Sequence, residues 1–234
     1  MTKCYTIPLY FKLFGLGETM AISDRKKREK EYRRQSIIDA AEKLFFEKGY
    51  DNVSMNDIAT EVELNRATIY IYFENKEALC FAVILRGVRL LNKMVKSSVK
   101  GAAYAQKIRA MWGAYYSFFK MYPQYLQVYN LFQSGRFSLS GLKGPVYHDV
   151  AEIIKLQKEL FDILHSTIKT EKGGGRISSD VDPFNATFLI MSAIDTMINL
   201  SPMLKNEIDT DSILEYQFKM NFMYFVDKLL RSEQ

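Results

Sequence analysis

Residues 54–73 read SMNDIATEVELNRATIYIYF, and the order of caps and apolar positions in this stretch decides the fold. Ser54 followed three residues later by Asp57 is a capping-box start: the hydroxyl can accept from an orphan amide while the carboxylate sits against the positive helix end. Ile58, Ala59 and Val62 then recur at three- and four-residue spacing, which gives one apolar face, and Ala59 is small enough for a second helix to cross closely. Leu64 is a buried-type residue in the turn, and Asn65 is a good N-cap for a second helix through Tyr72. On that helix Ile69 and Phe73 share a face, while Arg66, Thr68, Tyr70 and Tyr72 project elsewhere with groups suited to base edges and phosphates. The stretch therefore predicts two short helices joined by a tight turn.

Outward from it, a long helix is expected over about 23–48, with Ile37, Ala41, Leu44 and Phe45 inward and Gly49 as its stop. Tyr50 and Val53 close a small core ahead of Ser54, and Asn75 caps a further helix from Lys76 to about Lys100. The run IIDAAEKLFFEKGYDNVSMNDIATEVELNRATIYIYFENKEAL, residues 37–79, resembles the DNA-binding domain of the tetracycline-repressor (TetR) family of transcriptional regulators. The matching positions are the AA-x-x-LF of the first helix, the Gly49 stop, the IA of the second helix and the TIY-x-YF-x-NKE-x-L exit. Glu63 and Ala67 depart from it, each standing where the family often has glycine. The resemblance implies a helix-turn-helix that enters the major groove of double-stranded DNA, headed by Asn65. Carried over residue by residue, it implies base-edge or adjacent phosphate contacts for Arg66 and Thr68, and phosphate contacts for Ser54, Tyr70, Tyr72 and Lys76. A lysine at the positive end of a helix gains nothing from the dipole, which suits an outward-facing Lys76.

A chain of 234 residues suits one or two domains, and its formal charge of +5 is only mildly basic. The positive charge is concentrated in Arg25, Lys26, Lys27, Arg28, Lys30, Arg33 and Arg34. Alone, that run reads equally as a solvated helix face; beside a helix-turn-helix it reads as a phosphate or minor-groove contact. Cys4 and Cys80 are too few for a disulfide framework or a zinc site and fit a reducing cytoplasm. Residues 1–22 are a poor signal peptide and are expected to be a flexible extension or a misplaced start. Asp195, Lys219 and Asp227 interrupt the most apolar runs, so no membrane span is expected.

Beyond residue 100, helices are expected over about 102–122, 123–133, 145–170, 183–202 and 210–231, separated by glycine, proline and polar punctuation. The fold class is all-α: an N-terminal three-helix domain, residues 23–75, and a helical ligand-binding and dimerisation domain, residues 76–234. The last two helices are apolar on more than one face. That calls either for a larger monomer core or for a two-fold interface, and the resemblance favours a homodimer through Phe188, Met191, Ile194, Phe218, Phe222, Phe225 and Leu229. The middle of the chain is dense in tyrosine, phenylalanine and methionine. Singly these are core residues; as a set, so many hydroxyls want partners that a partly polar cavity would supply. The resemblance implies a small-molecule effector there, aromatic or amphipathic, with Trp112, Tyr115, Phe119, Tyr129 and Met191 as lining.

No nucleophile triad, phosphate loop, metal constellation or paired carboxylates can be found, so neither catalysis nor a metal or other cofactor is expected. The sequence thus points to a dimeric repressor released by its effector. Its rival is a constitutive DNA-binding adaptor with a protein partner, a filled core and no effector.

Overall fold

The computed structural model describes residues 10–199 with Tyr224, Val226 and Lys228, and side chains from Asp24 onward apart from residues 104, 105, 197 and 198. Among the described residues there are eight helices and no strand: α1 (Tyr10–Lys48), α2 (Met55–Glu61), α3 (Arg66–Tyr72), α4 (Lys76–Val99), α5 (Tyr104–Met121), α6 (Pro123–Gln133), α7 (Gly144–Gly173) and α8 (Pro183–Ile198). By compactness the chain divides into Met1–Val83 and Ile84–Gln234. The division falls inside α4, eight residues after the expected boundary of 75/76. Helix α1 begins at Tyr10, well ahead of the expected start near Ser23. Extending an existing helix adds one hydrogen bond per residue fixed, whereas nucleation carries the main cost. The expected final helix, residues 210–231, lies outside the described residues apart from 224, 226 and 228.

In the first unit, Ile37, Ala41, Leu44 and Phe45 of α1 meet Val53, Ile58, Ala59, Ile69 and Leu79 in a core where each is at most 4% exposed. The turn between α2 and α3 is a Schellman motif: Leu64 N–H donates to Ala59 C=O at 2.9 Å and Glu63 N–H to Thr60 C=O at 3.1 Å. The motif needs a left-handed residue, and here it is Glu63 with φ +54°. A side chain at that position costs roughly 1–2 kcal/mol that glycine would not.

In the second unit, α7 packs on α8 and α5, and α5 on α6 and α8. A polar seam ties α4 to α7. Arg89 donates to both carboxylate oxygens of Glu152, at 2.8 and 2.6 Å, Asn92 Nδ2 to Leu156 C=O at 3.0 Å, and Lys96 Nζ to Glu159 at 2.7 Å. These pairs recur every three to four residues on both helices, so they fix the register of α4 against α7. Both ion pairs are half-exposed and each is worth under about 1 kcal/mol. No described helix is long and apolar enough to cross a membrane.

Candidate nucleic-acid interface and cavity

The capping box at Ser54 is complete. Asp57 N–H donates to Ser54 Oγ at 3.2 Å, and Ser54 N–H donates to the Asp57 carboxylate at 2.7 Å. The Ser54 hydroxyl also donates to that carboxylate, at 2.6 Å, and together the two Ser54 donors hold the Asp57 carboxyl below its ordinary range. Asn65 caps α3 by accepting from Thr68 N–H at 2.8 Å and Thr68 Oγ1 at 2.9 Å. Ser54 and Thr68 thus spend their hydroxyl protons in shaping the helix pair and meet a ligand through their remaining lone pairs, whereas the Asn65 cap uses its carbonyl oxygen and not its amide donors.

On α3, Ile69 is fully buried and fixes which side turns outward. Ala67 and Ile71 stand two residues either side of it, about 200° round the helix, so they occupy the face opposite the core. Ile71 is 72% exposed and Tyr70 41%. Arg66 lies beside Tyr70, its guanidinium donating to the phenol oxygen at 3.1 Å and stacked 5.4 Å from the ring centre. The exposed surface of α3 is therefore an apolar Ala67–Ile71 ridge, flanked by an arginine–tyrosine pair on one side and Thr68 with half-buried Tyr72 on the other. Sequence reasoning missed Ile71 because an isoleucine reads as core. Its position opposite Ile69 in the helical period was the available signal.

Lys76 corrects an expectation. Its ammonium donates to the Tyr50 and Val53 carbonyls, each at 2.9 Å, and lies 4.2 Å from the Tyr50 ring centre. It turns inward and pins the α1–α2 connection to the start of α4, because two carbonyls and an aromatic face offer a half-buried cation more than the helix end does. The basic run 25–33 is exposed along α1, while Arg34 stacks over Phe73 at the exit of α3, 5.2 Å from its ring centre. That contact joins the basic stretch of α1 to the end of the exposed helix.

The second unit encloses a cavity of about 350 Å³ lined from all five of its helices, α4 to α8. Tyr115, Phe119, Tyr129 and Met191 are among its lining residues; Trp112 is not. Trp112 is buried one face round on α5, with its ring 6.3 Å from Tyr116 one turn on. The walls are aliphatic and aromatic, and the polar groups gather where α6, α7 and α8 meet: Tyr129, Gln133, Gln157, Ser192, Asp195 and Thr196. Gln157 Nε2 donates to the Tyr129 oxygen, and Asn199 Nδ2 donates to Asp195 Oδ1 at 3.1 Å. Burial pushes the Tyr115 hydroxyl far above the usual phenol range, with lesser contributions from Tyr129 and Asp195. Burial likewise raises Tyr129, opposed by the Gln133 and Gln157 amides, and raises the Asp195 carboxyl, opposed by Asn199 and Gln133.

The expected interface residues on α8 divide. Phe188 is 58% exposed, alongside Phe184 and Leu189, whereas Ile194 is buried and Met191 half-buried, both on the cavity. Ile194 is corrected to a core position, since Thr187, Ile190 and Ile194 share the inner face at helical spacing. Phe218, Phe222, Phe225 and Leu229 lie outside the described residues. Among the described residues no cluster of His, Cys, Asp and Glu could hold a metal ion.

The model of the bacterial regulatory proteins of the tetR family matches residues 37–83. An HTH-type transcriptional regulator of Staphylococcus aureus strain bovine RF122 is 49% identical over 53 residues, which are 23% of this chain and 29% of the relative. The match thus spans under a third of that relative's length. A solved regulatory protein of the tetR family from Rhodococcus RHA1 is 16% identical with a TM-score of 0.62, covering 86% of this chain and 98% of that one. AibR, solved with isovaleryl coenzyme A and operator DNA, is 22% identical with a TM-score of 0.58, covering 85% and 98%. The head of the chain, residues 37–83, belongs to the tetR family of bacterial regulatory proteins, and the chain has the fold of that family's solved structures.

Proposed function

We propose that the chain is a transcriptional regulator, acting as a homodimeric repressor that binds a roughly palindromic operator and releases it when a small molecule fills the cavity. The observation that carries the reading is the α2–α3 pair, closed by two caps and a Schellman turn, which leaves one α3 face open opposite buried Ile69. In the groove, Arg66 and Thr68 reach base edges, the Ala67–Ile71 ridge meets thymine methyls, and Tyr70 and Tyr72 reach phosphates, with the basic stretch of α1 adding sequence-independent attraction. Lys76 positions α4 rather than reading DNA. Dimerisation uses the outer face of α8, from Phe184 through Phe188 and Leu189.

Effector control needs a ligand that prefers the state unable to bind DNA, since equal affinity for both states shifts nothing. Helix α4 is the connecting element: unbroken from Lys76 to Val99, it carries the Tyr50 and Val53 tie near one end and cavity-lining Ile84, Gly87, Val88 and Leu91 further along. AibR, a fold neighbour solved with both a small molecule and operator DNA, supports this division of labour. Its ligand chemistry is not carried over.

The test begins with operator selection from random DNA, followed by binding titrations across salt. Arg66→Ala and Ile71→Ala should each lower the ratio of specific to non-specific affinity by about tenfold, with Ile71→Ala leaving the salt dependence untouched. Wild-type preference in both variants would remove α3 as the reader. Release of the operator by a cavity ligand at constant salt separates the repressor from a constitutive adaptor.

A further inference from the structure

The cavity's charge pattern narrows what it can hold. Asp195 is the one charged side chain among its described lining residues, with no lysine, arginine or histidine. The groups next to it are amides and hydroxyls: Asn199 donates to it, and Tyr129 and Gln133 share its end of the cavity. Asp195 both lines the cavity and keeps solvent exposure, so it stands at an opening. The rest of the wall is aliphatic and aromatic, and its rings, Phe118, Phe119, Phe161 and Phe188 among them, carry negative potential on their faces. An anionic head would meet a carboxylate with no cation among the described lining residues to offset it, and a wholly apolar guest would leave that carboxylate with neutral amide partners alone. A cation satisfies both the carboxylate and the ring faces.

Resting on the effector reading above, we propose that the cavity takes a lipophilic cation, an amine or quaternary ammonium carried on one or two rings, with its nitrogen beside Asp195. The volume of about 350 Å³ falls at the small end of drug-sized sites. Burial raises the Asp195 carboxyl, and an incoming cation supplies a charged partner that the described lining residues do not.

The test uses three biphenyl probes of matched shape, bearing a trimethylammoniomethyl group, its uncharged neopentyl isostere, or an acetate. Binding to the full-length protein is followed by the fluorescence of its single tryptophan, Trp112 on α5, and by calorimetry. The cation should bind about tenfold or more tightly than the isostere, with the acetate weakest. Asp195→Asn should erase the difference between cation and isostere, chiefly by weakening the cation. The wild-type comparison stands even if that variant fails to fold. Equal or tighter binding of isostere or acetate overturns the cation assignment and leaves the effector reading intact. Failure of all three to bind overturns the cation assignment, while operator release at constant salt tests the effector reading separately.

Discussion

Gly87 gives the most direct check on the packing of the second unit. It lies within α4, and a methyl group there would stand 2.5 Å from Tyr125 Cδ1, 2.9 Å from Cγ and 3.0 Å from Cε1. Carbon atoms prefer separations of ~3.5–4.0 Å, so Gly87→Ala must move the Tyr125 ring or α4 by about 1 Å. The ring has little freedom to retreat: it is 8% exposed, stacked on Phe118 at 5.9 Å and against the edge of Tyr122 at 6.3 Å. Overpacking of this kind costs about 1–3 kcal/mol, against a helix-propensity gain of about 1 kcal/mol for replacing glycine by alanine. The net expectation is a loss of about 0–2 kcal/mol. Gly113 in α5 is the control, because a methyl group there meets nothing within 4 Å and should only gain the propensity term. The two variants should therefore differ by about 1–3 kcal/mol, read as the difference in urea unfolding free energy followed by Trp112 fluorescence. Gly87 and Tyr125 both line the cavity, so Gly87→Ala should also weaken probe binding while Gly113→Ala does not. A Gly87→Ala protein as stable as Gly113→Ala would refute the close approach of α4 to α6.

The head offers three further tests. Glu63→Gly should stabilise it by about 1 kcal/mol by relieving the left-handed residue, seen as a rise in thermal midpoint; a fall would mean the Glu63 side chain makes a contact worth more than the strain. Lys76→Met removes the donor to two carbonyls and should destabilise the head by about 1–3 kcal/mol without flattening the salt dependence of DNA binding. A flattened slope with unchanged stability would return Lys76 to the phosphate backbone. The Asp57 carboxyl has a folded pKa below its unfolded value, first through the Ser54 hydroxyl and then the Ser54 amide. Its contribution is therefore present above the unfolded pKa and is lost as pH falls through the folded one, below about pH 4. Unfolding curves from pH 6 to 3 should show a shallower acid loss for Asp57→Asn than for wild type, and superimposable curves would exclude the capping box as the source.

The head was legible in the sequence because its signals are local. Ser54 with Asp57, Asn65 with Thr68, and Gly49 at the end of α1 each act within a turn of chain, so residue type and spacing suffice to set the helix ends, and the inward face of α1 followed from periodicity alone. The aromatic middle was recognisable as a region for the same reason. What sequence could not settle were choices between partners far apart along the chain. Lys76 bonds carbonyls 26 and 23 residues before it, and nothing in its neighbours says that those carbonyls are within reach. Trp112 and Tyr115 lie on one helix three residues apart, yet only Tyr115 faces the cavity, because α6 and α8 approach that side of α5. On α8 the apolar residues could not be sorted in advance into those meeting the core, as Ile194 does, and those left outside, as Leu189 is. Asp195 read in sequence only as an interruption of an apolar run. Its place as the one charged group among the cavity's described lining residues arises from five helices converging, and only the tertiary structure could assign it.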